Sequence, residues 1–313
     1  MESDLLLDPF KYYTLPLKQW VQFAVDWTAD NFRPFFQAIR MPMAYFLDLV
    51  TTFLLSVPPT IFLIVLFLFA WQLAGFGTAV FVTFAMFAIG LLGIWHDTLI
   101  TLAIILTAVS VCVVIGVPIG ILAGRNDRFE ALLRPLLDVL QTLPAFVYLV
   151  PIVMLVGIGN VPGVFVTVFF ALPPIIRLTS LGIRSVPLTA VEAAYAFGST
   201  HRQVLTKVQM PLAIRNIMAG LNQTLMMALA MVVYASMIAV EGLGQTVLRG
   251  IGRLDMGLAA IGGIGIVLLA MILDRITQAL GAQARHSINI ATRGPIGLVR
   301  LLARPMFVLA HKH

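Results

Sequence analysis

Residues 185–211 read SVPLTAVEAAYAFGSTHRQVLTKVQMP, and this stretch carries the strongest structural signal in the chain. It separates two apolar segments and is long for a connection between helices. Thr189 with Glu192, and Thr200 with Gln203, have the spacing of a capping box, in which two side chains cap the start of a helix. The stretch therefore predicts two short helices.

A sharp bend is predicted between these two helices. Gly198 stands where a glycine can end the first helix, and Pro211 is expected to restart the chain into the next apolar segment. The small side chains of Ala193, Ala194 and Ala196 would let a partner approach the first helix closely. Two interpretations follow from the residues alone: a docking element for another protein, or a structural hairpin that caps the chain's own helices.

The composition predicts an all-α polytopic membrane protein. Of the 313 residues, 60% are hydrophobic and 11% are charged, whereas a soluble domain has about 45–50% apolar and about 25% charged residues. A single cysteine, Cys112, excludes an intrachain disulfide. The net charge of +6 does not indicate nucleic-acid binding, because the basic residues lie in short loops and at the tail.

A membrane span needs about 20 mostly apolar residues, and about seven segments qualify. None of them contains Asp, Glu, Lys or Arg. The first 59 residues are interpreted as an extracytoplasmic segment without a span. Within it, residues 17–31 have the periodicity of an amphipathic helix, which would lie in the membrane interface or on the protein's own helices. The predicted spans are 60–74, 78–95, 98–124, 139–158, 162–176, 217–240 and 256–273.

The distribution of Lys and Arg predicts the orientation. Most of these residues follow the third, fifth and seventh segments, which would all face the same side. By the positive-inside rule that side is the cytoplasm, so the C-terminus is expected inside and the N-terminus outside. The predicted organisation is an N-terminal segment (1–59), a permease domain (60–281) that contains the loop 185–211, and a basic cytoplasmic tail (282–313).

No enzymatic site is predicted. A phosphate-binding P-loop needs a lysine between glycine and Ser or Thr, and none of the four lysines has that context. The histidines form no HExxH pair, so no metal site is expected. The absence of charged residues from the spans also counts against a proton- or ion-coupled carrier. If the chain is a transporter, its energy is therefore expected to come from elsewhere.

The loop resembles a known family motif. Glu192 to Gly198, nine further residues and then Val208 to Pro211 match the EAA loop of ABC importer permeases, with Val208 and Met210 replacing the usual Ile and Leu. Further stretches from about residue 32 to 285 resemble the glycine betaine/proline betaine permeases of osmoprotectant importers. They are 141–151, 157–163, 171–178, 222–224 and 242–257.

The resemblance implies a homodimeric permease of the type I ABC importer fold in the bacterial inner membrane, without a cofactor of its own. Its implied partners are two copies of an ATPase that binds ATP and Mg²⁺, a periplasmic binding protein and membrane lipid. The residues implied in coupling to the ATPase are Glu192, Ala193, Ala194, Gly198 and Pro211. Arg202 and Lys207 would pair with acids on the ATPase or serve as positive-inside anchors.

Candidate substrate-path residues are polar groups in apolar surroundings, which need water or a hydrogen-bond partner. A path would provide these, and so would contacts between helices. They are Gln141, Thr142, Asn222, Gln223 and Thr224, while Tyr148 and Tyr234 could offer aromatic faces to a quaternary ammonium group or simply pack. The outer loop, with Glu241, Arg249 and Arg253, is the expected docking place of the binding protein.

Two rival functions stay open at this point. The first keeps the importer and changes the cargo to another small amine or amino acid. The second belongs to a different class, a passive channel or a membrane anchor that works without an ATPase.

Overall fold

A computed structural model describes residues 16–285, and the regular elements in this range are helices. The predicted tail beyond residue 285 and the first 15 residues lie outside the described range. The helices, in chain order, are α1 (Leu17–Ser56), α2 (Pro59–Ala74), α3 (Phe76–Leu91), α4 (Trp95–Arg125), α5 (Asp127–Thr142), a 3-10 turn (Ala145–Tyr148) leading into α6 (Leu149–Val156), α7 (Asn160–Arg184), α8 (Leu188–Ala196), α9 (His201–Ile238), α10 (Leu243–Gly252) and α11 (Met256–Arg285).

The apolar helices agree with the predicted segments in position but differ in form. Five helices are long and apolar enough to cross a membrane, and the number is six if α5 and α6 are counted as one bent span. The others expected, α2 and α3, are shorter, with 16 residues each. At 1.5 Å per residue each reaches about 24 Å, less than the roughly 30 Å of bilayer hydrocarbon.

Helix α1 departs from the expectation for the first 59 residues. It is continuous over 40 residues, and its part 34–56 is long and apolar enough to be a candidate span. The apolar pattern did not indicate a span here because Pro42 and Asp48 interrupt the apolar run, although the helix continues through both. The amphipathic helix expected at 17–31 forms the first part of α1.

Helices α2 and α3 form an antiparallel hairpin around Gly75, whose φ of +88° suits glycine. Phe67 and Trp71 of α2 both pack edge to face against Phe76 at the turn. Farther from the turn, Leu63 and Phe67 of α2 line a cavity together with Phe87 of α3. The chain therefore leaves the hairpin on the side at which it entered.

Helices α4, α7 and α9 form the centre of the molecule, and glycines let them approach closely. A Cβ atom on Gly116, Gly120 or Gly124 of α4 would come within 2.4–2.8 Å of a side chain of α7. This glycine series is therefore a helix-packing surface. Larger residues here would force the two backbones apart.

The predicted fourth span, 139–158, is wrong as a continuous helix. Helix α5 ends at Thr142, and the chain turns by 104° before it continues as α6. Pro144 has no N–H to donate and restricts the residue before it, which explains the break. By contrast, Pro173 and Pro174 lie inside the uninterrupted helix α7.

Helix α5 directs its charged residues toward α7. Arg184 bonds to Asp127 and Glu130 at 2.6 and 2.8 Å, and Arg177 pairs with Asp138. All of these groups except Asp127 border a cavity of about 330 Å³ between the two helices. Apolar side chains on the same helix, among them Leu132 and Leu136, stay exposed.

Candidate functional site

The loop 185–211 begins with helix α8, which starts one residue earlier than the expected capping residue. Pro187 occupies the N-cap position and no side chain caps the helix, so the predicted box of Thr189 and Glu192 is wrong. Thr189 already lies inside the first turn, where its hydroxyl cannot act as an N-cap. The proline directly before Leu188 sets the helix start instead.

The expected stop at Gly198 is confirmed. Its φ is +78°, the left-handed conformation that glycine adopts at little cost. The amide of Gly198 donates to the carbonyl of Tyr195 at 2.8 Å, and Ser199 donates to the carbonyl of Ala194 at 3.0 Å. These two bonds close the end of α8 and reverse the chain.

The second capping box is confirmed, but the helix that it starts is not short. Thr200 and Gln203 cap each other's backbone groups, and α9 then runs without interruption to Ile238. The expectation that Pro211 restarts the chain is therefore wrong. A π turn at 205–209 ends two residues before this proline and widens the helix, which relieves the clash that proline makes in a regular α-turn.

Helix α8 has no buried residue, so it projects from the helix bundle. Glu192 and Ala193 are exposed and Ala194 is half-buried. Arg202 and Lys207 are also exposed; within residues 16–285 neither has an ion-pair partner.

Two large apolar side chains on this loop were not predicted as site residues. Phe197 is 90% exposed and Leu188 is 74% exposed, at opposite ends of α8. Hydropathy treats them as ordinary apolar residues. Their exposure follows from the Gly198 turn, which holds the helix away from the rest of the chain.

Three of the predicted path residues lie at the bend between α5 and α6. The hydroxyl of Tyr148 donates to the carbonyl of Leu140 at 2.6 Å and so ties the 3-10 turn back to α5. Thr142 donates to the carbonyl of Asp138 at 2.9 Å. Gln141 is half-buried beside them. The bond from Tyr148 to the end of α5 thus holds the bend, while the Thr142 bond stays within the last turn of α5.

The remaining path candidates lie on α9 and have different surroundings. Asn222 accepts a hydrogen bond from Thr277 of α11 at 2.9 Å, so it joins two helices. Gln223 is exposed. Thr224 is buried, and its hydroxyl has no partner among the described residues. Tyr234 is exposed about three turns further along α9.

At the other end of the molecule, Glu241 is bound to the start of α7. Its amide donates to Asn160 Oδ1 at 2.8 Å, and Asn160 Nδ2 donates back to the Glu241 carboxylate at 3.3 Å. The amide of Gly159 also donates to the carbonyl of Ile238 at 3.2 Å. These bonds join the loop before α7 to the loop after α9.

Helix α10 is anchored to the first turns of α4. The amide of Leu243 donates to Thr101 Oγ1 at 2.9 Å, and Thr246 donates to Asp97 at 2.6 Å. Gly242 fits here because its φ is +107° and a Cβ would lie 2.4 Å from Thr101 Oγ1. The segment 241–252 is therefore a fixed platform.

The outer surface of this platform is both charged and apolar. Arg249 is exposed and bonds to Gln245 at 2.8 Å, and Arg253 is exposed at the end of the helix. Ile251, Leu254 and Met256 are large exposed apolar residues nearby. In residues 16–285 no group of three or more His, Cys, Asp or Glu side chains could hold a metal ion.

Long apolar helices around a glycine-packed centre, with a projecting EAA helix, define a membrane component of a transport system. Residues 116–286 match the family described as the binding-protein-dependent transport system inner membrane component, and the chain belongs to this family.

Two curated relatives are similar over nearly the whole chain. The glycine betaine/proline betaine transport system permease protein ProW of Escherichia coli is 56% identical over 302 residues, which are 96% of this chain and 84% of that protein. The glycine betaine transport system permease protein OpuAB of Bacillus subtilis is 44% identical over 275 residues, covering 88% of this chain and 98% of that protein.

A solved structure supports the fold. An inward-facing form of the MetNI methionine ABC transporter matches with a TM-score of 0.53 at 23% identity, over 63% of this chain and 96% of the solved chain. The all-α fold of a type I ABC importer permease, expected from the resemblance, is confirmed.

Proposed function

We propose that this chain is the permease subunit of an ABC importer that carries glycine betaine, proline betaine and related compatible solutes into the cytoplasm. The observation that carries the proposal is the exposed EAA helix α8, in a chain that is more than half identical to a permease named for these solutes. The chain catalyses no covalent step, and ATP is hydrolysed on two copies of a separate ATPase.

Coupling to the ATPase takes place at α8. Glu192, Ala193 and Ala194 form the docking surface, and the exposed ring of Phe197 fills a pocket of the partner. Arg202 and Lys207 meet acidic groups on the ATPase. Because α9 continues for 38 residues, or about 57 Å, the same rigid helix reaches from this surface to the opposite loops.

The substrate path lies between two copies of this chain, beside the bend of α5 and α6 and beside α9. Gln141, Thr142 and Gln223 supply polar groups to it, whereas the hydroxyl of Thr224 is buried inside the chain behind them. Tyr148 and Tyr234 offer aromatic faces, which attract a quaternary ammonium group. Asn222 supports the path from behind through its bond to α11.

The binding protein docks on the platform around α10. Arg249 and Arg253 supply positive charge there, beside the exposed apolar residues. Glu241 is the acidic element of the same surface, and its bonds to Asn160 make it sensitive to movement between α7 and α9. Docking at this place would therefore act on the two helices that form the path.

The orientation places α8 and the C-terminus in the cytoplasm, because Arg125, Arg128, Arg184 and Arg202 lie at that end. The hairpin of α2 and α3 leaves on the side where it entered, so the side of the N-terminus depends only on whether residues 34–56 cross. Arg40 and Asp48 would be costly in a crossing helix, by about 2.5–3.5 kcal/mol each near its centre. We therefore propose that the N-terminus lies outside.

The test is reconstitution of this chain with its ATPase in liposomes, with the binding protein added outside and radiolabelled glycine betaine as cargo. ATP-dependent uptake is expected, and unlabelled proline betaine should compete. ATP hydrolysis that is stimulated without betaine uptake would keep the importer and overturn the cargo. Uptake that is indifferent to ATP would overturn the importer and favour a passive channel.

A further inference from the structure

The turn between α8 and α9 contains a side-chain contact that the docking surface does not explain. Tyr195, in the last turn of α8, places its hydroxyl 2.7 Å from Nδ1 of His201, the first residue of α9. The two rings also meet edge to face, with centroids 5.3 Å apart and planes at 72°. The contact therefore links the two arms of the loop across Gly198.

This link matters because α8 has little else to hold its direction. None of its residues is buried, so packing against the bundle does not fix it. The backbone bonds at Gly198 and Ser199 close the turn locally, and the capping box of Thr200 fixes the start of α9. Besides these bonds and the approach of α8 to residues 205–209 of α9, a contact between side chains on the two arms resists a change in the angle between them.

We propose that Tyr195 and His201 are positioning residues, which brace α8 at a fixed angle to α9. When the ATPase moves the docked α8, the brace transmits the movement to α9, whereas an unbraced turn would absorb it. This inference rests on the proposed coupling role of α8 and adds the pair that makes the loop stiff. Neither residue needs to touch the ATPase or the substrate.

The brace does not depend on the protonation state of the imidazole. A hydroxyl can donate and accept, so Tyr195 donates to Nδ1 when that nitrogen carries no proton and accepts from it when it does. The brace is therefore not a pH switch. Its hydrogen bond can be removed without the ring contact, because phenylalanine keeps the ring and lacks the hydroxyl.

The experiment measures betaine imported per ATP hydrolysed in liposomes that contain the permease, the ATPase and the binding protein. Tyr195→Phe removes the hydroxyl and keeps the ring, and His201→Phe removes the acceptor. Each should lower the ratio about fivefold, the effect of losing one ordinary hydrogen bond. ATPase co-purification and the rate of ATP hydrolysis should stay at the wild-type level.

Two further variants make the test specific. His201→Asn places an oxygen near the position of Nδ1 and should keep most of the coupling. The double variant Tyr195→Phe with His201→Phe should be no worse than either single variant, because both remove the same bond. Tyr45→Phe, which removes a hydroxyl from an exposed tyrosine of α1, is the matched control and should behave as wild type.

The outcomes distinguish failure of the brace from failure of the proposed function on which it rests. Unchanged ratios in both phenylalanine variants, with ATP-driven uptake in the wild type, would overturn the brace alone. Loss of ATPase binding in these variants would also overturn it, since the residues would then belong to the docking surface. Absence of any ATP-driven uptake in the wild type would remove the proposed function and the brace together.

Discussion

Phe197 has the most exposed side chain among the large apolar residues that the structure describes. An aromatic ring that is 90% exposed at the tip of a projecting helix gains nothing from the fold of its own chain. Exposed rings of this kind are frequent binding hot spots, because burying them in a partner removes a large apolar area from water.

Phe197→Ala should therefore weaken binding of the ATPase to the detergent-solubilised permease by about 2 kcal/mol, or roughly thirtyfold in Kd. Titration of the purified permease with the ATPase measures this. Phe84→Ala, at another exposed phenylalanine on α3, is the control and should leave the affinity unchanged. Equal affinities of the Phe197 variant and the wild type would show that the ring lies outside the interface.

Gly198 presents a purely conformational test. A Cβ at this position would have no atom within 4 Å, so the cost of a substitution comes from the positive φ alone. Gly198→Glu should reduce uptake roughly five- to thirtyfold, because about 1–2 kcal/mol disfavours the turn. Membrane insertion should be unaffected, which a protease-protection assay can confirm.

Gly198→Asn is the informative companion, since asparagine adopts left-handed backbone conformations more readily than other residues. It should keep more uptake than Gly198→Glu. Wild-type uptake by the glutamate variant would contradict a coupling role for this turn.

At the scale of elements, the packing of α4 on α7 depends on backbone proximity. A Cβ on Gly120 would lie 2.7 Å from the carbonyl oxygen of Ile176, and a backbone atom cannot turn away as a flexible side chain can. Gly120→Ala should destabilise the protein by about 1–3 kcal/mol and lower its thermal unfolding midpoint in detergent.

Gly263 of α11 is the matched control for this substitution. A Cβ there would meet nothing within 4 Å, so alanine adds helix propensity without a clash. Gly263→Ala should leave the midpoint unchanged or raise it. If the two alanine variants unfolded at the same temperature, the close approach of α4 and α7 would not limit stability.

Sequence patterns predicted the elements that depend on one continuous stretch of residues. The positions of α4, α7, α9 and α11 follow from charge-free runs, and the Gly198 turn follows from one residue type. The bend after Thr142 was missed because the apolar run continues across it. Hydropathy does not distinguish a straight helix from a broken one. The signal for the break is Pro144, which lies at the bend.

In the candidate site, too, local patterns were predictable from the sequence and contacts between side chains were not. The EAA residues were identified by type and spacing, whereas the bonds of Tyr195 with His201 and of Asn160 with Glu241 were not. Each of these pairs depends on how turns bring distant or opposed side chains together. Such contacts have no periodicity, so one sequence alone does not predict them.

At the scale of the whole molecule, the orientation can be tested by labelling single cysteines. The native Cys112 is buried, so its background reaction with a membrane-impermeant maleimide should be low. Leu254→Cys and Lys18→Cys should react in intact spheroplasts, while Thr189→Cys should react only after the membrane is opened. All three native side chains are exposed.

Two results would change this topology. Labelling of Thr189→Cys from outside would reverse the orientation of the whole bundle. Protection of Lys18→Cys alone would show that residues 34–56 cross the membrane and that only the N-terminus changes sides.

The hairpin of α2 and α3 has a consequence for how such chains diversify. It precedes the family match, which begins at residue 116, and its two arms return the chain to its starting side. A lineage can therefore acquire or discard the hairpin as one unit while every later loop keeps its compartment. Gain of a single crossing helix at the same place would instead move the N-terminal segment to the other side of the membrane, because the basic loops hold the later helices in their orientation. Only a paired change leaves both ends of the chain where they were.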